Sequence, residues 1–317
     1  MSIGTETQPK AAMQCMPIFR NNDLELHYLE RGTGEPVLLI HGLGSSGADW
    51  AFQMPALEKQ FHVIAPDLPG SGHSSARGTV YSIKSFAESL WSLLDGLEKT
   101  QINIVGFSLG GAVALEMALQ RPNCVPRLVL INSLASYQID DWRKWFEVRK
   151  SLLLVRVLGM RHIARLIAGR LFPHPWQQPM RNRTRAVVSN VHSTAYVGMT
   201  KALQHWNATD RLELLQSRTL LIAAEHDYTP LAEKHALATQ LHASIVVVRG
   251  SRHGTPFDSI VLTNASLLAL LTDQVLPDTE EWEIDAPERL PAWPQNGSIA
   301  HEHASGLEPE QSAQMFG

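Results

Sequence analysis

The chain has 317 residues, of which 44% are hydrophobic, and a formal net charge of −4. This composition excludes a disordered or fibrous protein, and the negative charge argues against nucleic acid as a partner. Residues 1–14 are polar and no apolar run reaches the roughly 18 residues that span a bilayer, so no secretory signal or membrane span is expected. Cys15 and Cys124 have no metal-ligand spacing, which is typical of reduced thiols in the cytoplasm. We expect a cytoplasmic protein without a metal site.

The first element is a predicted hairpin over residues 18–29, with its turn at residues 21–23. Unbroken apolar runs then predict strands at residues 37–40, 61–65, 102–106, 125–131, 219–224 and 244–248. Helical patterns lie between most of these runs, such as residues 83–97, where Phe86, Leu90 and Leu94 recur at helical spacing. This alternation predicts an α/β fold with a doubly wound, mostly parallel sheet.

The run at residues 102–106 leads directly into Gly-x-Ser-x-Gly, centred on Ser108, and then into a helix opening rich in small residues. A buried strand that turns at once into a helix leaves one side chain at the turn in a strained conformation, which is a nucleophile elbow. The helix N-terminus points free N–H groups at the atom that Ser108 attacks, so the amide of Leu109 is a candidate oxyanion donor.

An acid and a histidine follow the last two predicted strands. Asp227 comes after residues 219–224, and His253 comes after residues 244–248. Each has an ordinary alternative role, a helix N-cap for Asp227 and a hydrogen-bonded loop residue for His253. The chain order Ser108, Asp227, His253 is, however, the one expected on a sheet with a nucleophile elbow. It predicts a triad in which His253 takes the serine proton and Asp227 orients the imidazole.

With these motifs the chain resembles the α/β-hydrolase family over residues 17–276. Further matching pieces are residues 38–44, which contain His41-Gly42-Leu43, and residues 64–74. The resemblance implies that Leu43 supplies the second oxyanion amide, and His41 is expected to be a buried structural residue. The chain departs from the family pattern at Ala224, where glycine is usual, and at Arg252, where a small residue is common. Glu225 and Asp258 remain alternative acids.

Residues 134–210 interrupt the alternation and carry only helical patterns, at residues 142–158, 160–172 and 184–205. They resemble the helical cap that many α/β-hydrolases insert here, and Trp142, Trp145 and Phe146 are its candidate substrate-binding residues. Residues 141–211 contain thirteen Lys or Arg and three Asp or Glu. A solvated basic face on an amphipathic cap is the favoured interpretation, while contact with an anionic membrane surface or attraction of an acidic substrate are alternatives.

The predicted organisation is an N-terminal extension (residues 1–16), a hydrolase core (residues 17–133 and 211–276), the cap (residues 134–210) and an acidic tail (residues 277–317). The tail is expected to be either a flexible extension or a segment that lies along the basic cap.

The expected function is hydrolysis of small to medium, fairly apolar carboxylic esters through an acyl-enzyme on Ser108, with no cofactor. A carbon–carbon bond hydrolase or a lactonase would use the same triad, and a non-turnover ligand receptor on a hydrolase fold is an alternative of another class. The acyl group, the alcohol and the oligomeric state stay open at this point.

Overall fold

The computed structural model describes residues 16–138, 142–277 and 283–285. Within these residues, one sheet contains eight strands in the spatial order β1-β2-β4-β3-β5-β6-β7-β8. The first two strands form an antiparallel hairpin, β2 also pairs antiparallel with β4, and all later neighbours are parallel. The predicted doubly wound, mostly parallel α/β fold is confirmed. The strands are β1 (Ile18–Asn21), β2 (Leu24–Arg31), β3 (Glu35–Ile40), β4 (Phe61–Pro66), β5 (Asn103–Phe107), β6 (Arg127–Ile131), β7 (Arg218–Ala224) and β8 (Ser244–Val248).

The helices lie on both faces of this sheet or in the inserted segment. They are α1 (Met54–Leu57), α2 (Ile83–Gly96), α3 (Leu109–Gln120), α4 (Trp142–Leu171), α5 (Gln178–Ser189), α6 (Ser193–Gln204), α7 (Leu231–Gln240), α8 (Thr255–Asp258) and α9 (Ile260–Leu271). None of the helices in the described ranges is long and apolar enough to cross a membrane.

Apolar side chains cover both faces of the sheet because successive residues of a strand point to opposite sides. In β3, Leu38 and Ile40 belong to the apolar cluster that contains the buried residues of α2 and α3. Val37 and Leu39 belong to the cluster on the other face, which includes residues of α1 and α9. Strands buried on both faces read as unbroken apolar runs, which is why the sequence predicts them well.

The segment between β6 and β7 is helical and leaves the core through a narrow neck. Ser136 and Asn207 form an antiparallel bridge there, and the Ala208 N–H donates to the Ala135 carbonyl at 2.8 Å. Helix α4 contains one non-helical residue, Gly159, with φ 71° and ψ 167°, at the position where the sequence separates two helical patterns. The pattern at residues 184–205 covers two helices, because α5 ends at Ser189 and α6 starts only after the extended residue His192.

Three residues of the acidic tail lie against the core. Glu283 bridges to Arg249 just after β8, and the Asp285 carboxylate accepts hydrogen bonds from the Ile260 and Val261 N–H groups at the start of α9. These contacts satisfy N–H groups that the helix itself cannot pair. The expected domain end at residue 276 is therefore too early for residues 283–285. The other tail residues after 277, and the N-terminal extension before residue 16, lie outside the described residues.

Candidate active site

Ser108 lies at the turn between β5 and α3 with φ 55° and ψ −118°, a strained conformation for a residue with a side chain. The turn is possible because its flanking residues are glycines. A Cβ on Gly106 would come within 2.3 Å of the Gly110 carbonyl, and a Cβ on Gly110 within 2.2 Å of the Ile40 carbonyl. The elbow is thus pressed against the end of β3, and the Ser108 side chain stands at the carboxyl edge of the sheet.

The structure brings the three predicted catalytic side chains together. Ser108 Oγ lies 2.8 Å from His253 Nε2, and His253 Nδ1 lies 2.8 Å from Asp227 Oδ1. With the Nδ1 proton donated to Asp227, Nε2 is free to accept the serine proton. Of the two alternative acids, Glu225 accepts a hydrogen bond from the Gly250 N–H and Asp258 accepts one from Ser251 Oγ. The carboxylate that bonds to His253 is that of Asp227.

Two aromatic rings contact the imidazole of His253. The centroid of the Phe107 ring lies 5.1 Å from that of His253, and the centroid of the Tyr228 ring lies 4.1 Å from it. Tyr228 as a residue is 70% exposed, whereas His253 is only 6% exposed. Tyr228 thus covers much of the imidazole and offers its own surface to a molecule that approaches Ser108.

The Asp227 carboxylate accepts hydrogen bonds from three further donors besides His253. The Tyr228 N–H donates to Oδ1 at 2.7 Å, the Thr229 hydroxyl donates to Oδ2 at 2.6 Å, and the Lys234 ammonium also donates to Oδ2. Burial alone would raise the pKa of Asp227, but bonds from His253 and the charge of Lys234 hold that pKa well below its usual range. Asp227 is therefore ionised at every pH at which His253 could act as a base.

Asn132, directly after β6, joins the loops that carry the acid and the histidine. Its side-chain oxygen accepts the Ala224 N–H at 2.7 Å, at the end of β7. Its side-chain nitrogen donates to the His253 carbonyl at 3.0 Å and to the Thr255 hydroxyl at 2.7 Å. Asn132 is 1% exposed and has φ 47°, so its own backbone is strained.

The two candidate oxyanion donors belong to the two segments that meet at the elbow. Leu109 is the first residue of α3, and Leu43 belongs to the loop after β3, against which Gly110 packs. Among the described residues, neither N–H donates to a backbone or side-chain acceptor. An oxyanion requires backbone donors that are not already paired. His41 does not face this space: its Nδ1 donates to the Gly42 carbonyl at 2.8 Å and its Nε2 accepts the Leu68 N–H at 3.0 Å.

Residues of the helical segment between β6 and β7 contact the loop after β3 and the loop that carries His253. The side chains of Val188 and Tyr196 lie within 3.5 Å of a Cβ built on Gly44, and the Phe172 ring packs against the backbone of Gly254. The predicted substrate-binding residues Trp142, Trp145 and Phe146 are in α4, but their side chains lie outside the described part of the structure. Among the described residues of the inserted segment, Val188, Tyr196 and Phe172 are the ones shown in contact with these two loops.

The basic residues of the cap divide between the surface and the core. Arg156, Arg161 and Arg165 are exposed, on a helix whose buried residues pack against Val188. Arg183 instead reaches the core and pairs with Asp49 at 3.2 Å. The described contacts fit an amphipathic cap with a solvated basic face.

A buried carboxyl pair lies behind the histidine loop. Asp258 is 1% exposed and accepts the Ser251 hydroxyl at 2.8 Å, while the Asp285 N–H donates to the Asp258 carbonyl at 2.9 Å. Burial, together with the nearby negative charge of Asp285, raises the pKa of Asp258 to about 7. Asp258 thus supports the loop and does not touch the imidazole. Within the described residues, no group of three or more His, Cys, Asp or Glu side chains could hold a metal ion.

Sequence reasoning missed Asn132, Lys234 and Asp285. A strand-end position alone would have pointed to Asn132, because polar residues at the carboxyl ends of parallel strands converge on one edge. Lys234 has no such signal, since a lysine beside Glu233 on a short helix predicts a solvated face.

Comparison with known proteins agrees with this architecture. The family model described as alpha/beta hydrolase fold matches residues 35–229. This chain belongs to that family. It is 31% identical over 260 residues to the "Putative carbamate hydrolase RutD" of Pseudomonas syringae pv. syringae (strain B728a), covering 79% of this chain and 98% of that protein.

Two further relatives of this alpha/beta hydrolase carry other names. The 2-hydroxy-6-oxo-2,4-heptadienoate hydrolase of Pseudomonas putida (strain F1) is 37% identical over 123 residues, which are 37% of this chain and 45% of that protein. A thermophilic esterase from Thermogutta terrifontis has a solved structure with a TM-score of 0.70 at 26% identity, covering 79% of this chain and 94% of that one.

Proposed function

We propose that this alpha/beta hydrolase is a serine esterase that cleaves small to medium, fairly apolar carboxylic esters through an acyl-enzyme on Ser108. The observation that carries the proposal is the unbroken chain of hydrogen bonds from Ser108 through His253 to an ionised, buried Asp227. Serine alone is too weak a nucleophile at neutral pH, and this arrangement supplies the base that it needs.

In the acylation step, Ser108 Oγ attacks the ester carbonyl while its proton passes to His253 Nε2. The negative charge that develops on the carbonyl oxygen is held by the N–H groups of Leu43 and Leu109. When the tetrahedral intermediate collapses, the alcohol leaves and takes the proton from His253.

In the deacylation step, water replaces the alcohol. His253 takes a proton from the water, which attacks the acyl-serine, and the same two N–H groups hold the second oxyanion. The collapse of this intermediate returns the proton to Ser108 and releases the acid. Asp227 stays ionised throughout and stabilises the transient imidazolium.

The side chains near Ser108 favour an apolar acyl or alcohol group. Val188 and Tyr196 lie near Gly44 in the loop after β3, Phe172 packs against Gly254 beside His253, and the Tyr228 ring contacts the His253 imidazole. An aliphatic chain would gain roughly 0.8 kcal/mol for each methylene that these surfaces bury.

A panel of p-nitrophenyl esters from acetate to decanoate tests the proposal, with Ser108→Ala as the inactive control. The expected result is turnover that peaks at a short or medium chain and is absent in the control. Ser108-dependent acylation in a single burst, with no further turnover, would instead indicate a ligand receptor.

The second candidate is hydrolysis of a carbon–carbon bond, which the sequence leaves open together with lactone hydrolysis. The name of the relative from Pseudomonas syringae adds carbamates as a further class of substrate. The same triad serves all of these reactions. A vinylogous diketone, a lactone series and a simple carbamate therefore accompany the esters in the panel. A kcat/KM for one of these substrates that exceeds the best ester by a hundred-fold would replace the esterase assignment.

A further inference from the structure

Lys234, on α7, is a fully buried lysine: it is 1% exposed and its ammonium group contacts the Asp227 carboxylate, which is itself fully buried. A lysine charge in such a place has a high desolvation cost, so its presence calls for a partner. The partner is the carboxylate oxygen Oδ2, while Oδ1 of the same group receives the His253 proton. Asp227 therefore contacts both the lysine charge and the proposed catalytic base.

We propose that Lys234 is a positioning residue of the triad, which fixes the Asp227 carboxylate toward His253 and limits how strongly that carboxylate stabilises the imidazolium. This inference rests on the proposed role of Ser108, His253 and Asp227. Without the ammonium, the carboxylate would keep only neutral donors besides His253, and its uncompensated negative charge would favour the protonated form of the imidazole. A base that is protonated cannot take the proton of Ser108.

Few other charges face this pair. Glu233 acts on Lys234 from the same helix, and the phenol groups of Tyr137 and Tyr228 lie within the electrostatic reach of Asp227. Strands β7 and β8, against which α7 packs, present only apolar side chains from Leu220 to Ala224 and from Ile245 to Val248. The described neighbours thus leave Lys234 as the cation that balances Asp227.

Thr229 provides a matched comparison, because its hydroxyl donates to the same oxygen of Asp227 without carrying a charge. Removal of Thr229 tests the hydrogen bond alone, and removal of Lys234 tests the hydrogen bond together with the charge. Lys84, an exposed lysine on α2, controls for a change of one unit in net charge.

The rate at which a fluorophosphonate labels Ser108 is the readout, because it needs no knowledge of the natural substrate. Ser108 Oγ attacks phosphorus, fluoride leaves, and His253 takes the serine proton. The rate is measured from pH 5 to pH 9 for the wild type and for Lys234→Met, Lys234→Gln, Thr229→Val and Lys84→Met. Circular dichroism and thermal unfolding report the folded fraction of each variant.

We expect Lys234→Met and Lys234→Gln to label roughly ten-fold more slowly at pH 7 and to move the midpoint of the acid limb upward by about half a pH unit or more. Thr229→Val should lower the rate with its midpoint nearly unchanged, and Lys84→Met should change neither quantity. A folded Lys234→Met protein that labels slowly with the wild-type midpoint would overturn the proposal.

Two other outcomes are equally decisive. If neither Lys234 variant folds, Lys234 serves stability alone and the proposal fails. If the wild type is not labelled at Ser108 at any pH, the proposed function itself fails, and this result is distinct because it precedes any comparison of variants.

Discussion

The side-chain amide of Asn132 donates a hydrogen bond of 3.0 Å to the backbone carbonyl of His253. The same side chain accepts the Ala224 N–H from the end of β7, three residues before Asp227. One buried amide thus joins the loop of Asp227 to the loop of His253.

Replacement of Asn132 by alanine should therefore damage both stability and activity. Three buried partners lose their hydrogen bonds, so we expect a loss of roughly 2 to 4 kcal/mol in the free energy of unfolding. We also expect kcat to fall by about ten- to a hundred-fold, because a shift of 1 Å in the triad is costly. Urea unfolding and esterase kinetics measure the two effects. Asn21→Ala, at an exposed position, is the control.

The nucleophile is tested by Ser108→Ala. Activity should fall on the order of a million-fold with the fold intact, since the remaining groups contribute only oxyanion and binding effects. A fluorophosphonate should label the wild type at Ser108 and leave the alanine variant unlabelled, as peptide mass spectrometry would detect. Label on another serine in the variant would mean that the nucleophile is misassigned.

The base is tested by the pH dependence of kcat/KM. We expect activity to fall on the acid side through a single ionisation, because His253 must be neutral to accept the serine proton. His253→Ala should remove this limb with nearly all activity. His226→Ala is the matched control: this histidine is half exposed, pairs with Glu225 and should leave the profile unchanged. A normal profile in His253→Ala would refute the assignment.

Asp258 should make the protein less stable as the pH rises. Its pKa is about 7 in the folded chain and near the ordinary value of 3.8 in the unfolded chain, so the folded state binds more protons between these values. The contribution of Asp258 to the free energy of unfolding is fully present below about pH 4 and is lost as the pH rises to about 7. Asp258→Asn cannot ionise, so its loss of stability between pH 5 and pH 8 should be smaller by roughly 2 kcal/mol. Urea titrations at both pH values give the comparison, and equal losses in the two proteins would contradict it.

The position of Asp285 leads to a prediction about truncation. A chain that ends after residue 276 lacks the carboxylate that caps α9, and it should be less stable by about 1 to 2 kcal/mol. A chain that ends after residue 290 retains this group and should match the full-length protein in stability and kcat. Thermal unfolding compares the two truncated proteins. Equal melting temperatures would mean that the Asp285 carboxylate does not stabilise α9.

The parts of the site that sequence reasoning located are those with local signals. The glycines around Ser108 indicate that two backbone segments lie too close together for a larger residue. Asp227 and His253 each follow a strand with an apolar run in the sequence. Since the order of elements determines where parallel strands end, the meeting of these three side chains could be inferred from position alone.

The parts that could not be located depend on contacts between distant residues. Although its strand-end position marks Asn132 as a candidate, its bond to Ala224, 92 residues away, has no local signal in the sequence. The buried state of Lys234 is set by a carboxylate on a different loop, whereas its helix alone predicts exposure. The prediction of a single helix at residues 184–205 is wrong for a different reason. The helical periodicity of the sequence continues across His192, although the backbone of that residue is extended.

The bridge between Ser136 and Asn207 has a consequence for how this protein can evolve. Bridged residues lie about 5 Å apart, so the chain between them departs from and returns to almost the same point. The segment between the two residues can therefore change in length or sequence without a change in the order of the strands. The free energy of closing a loop depends only weakly on its length. Under the proposed function, the range of molecules admitted to Ser108 and the chemistry performed on them are therefore separable traits, and selection can change the first without the second.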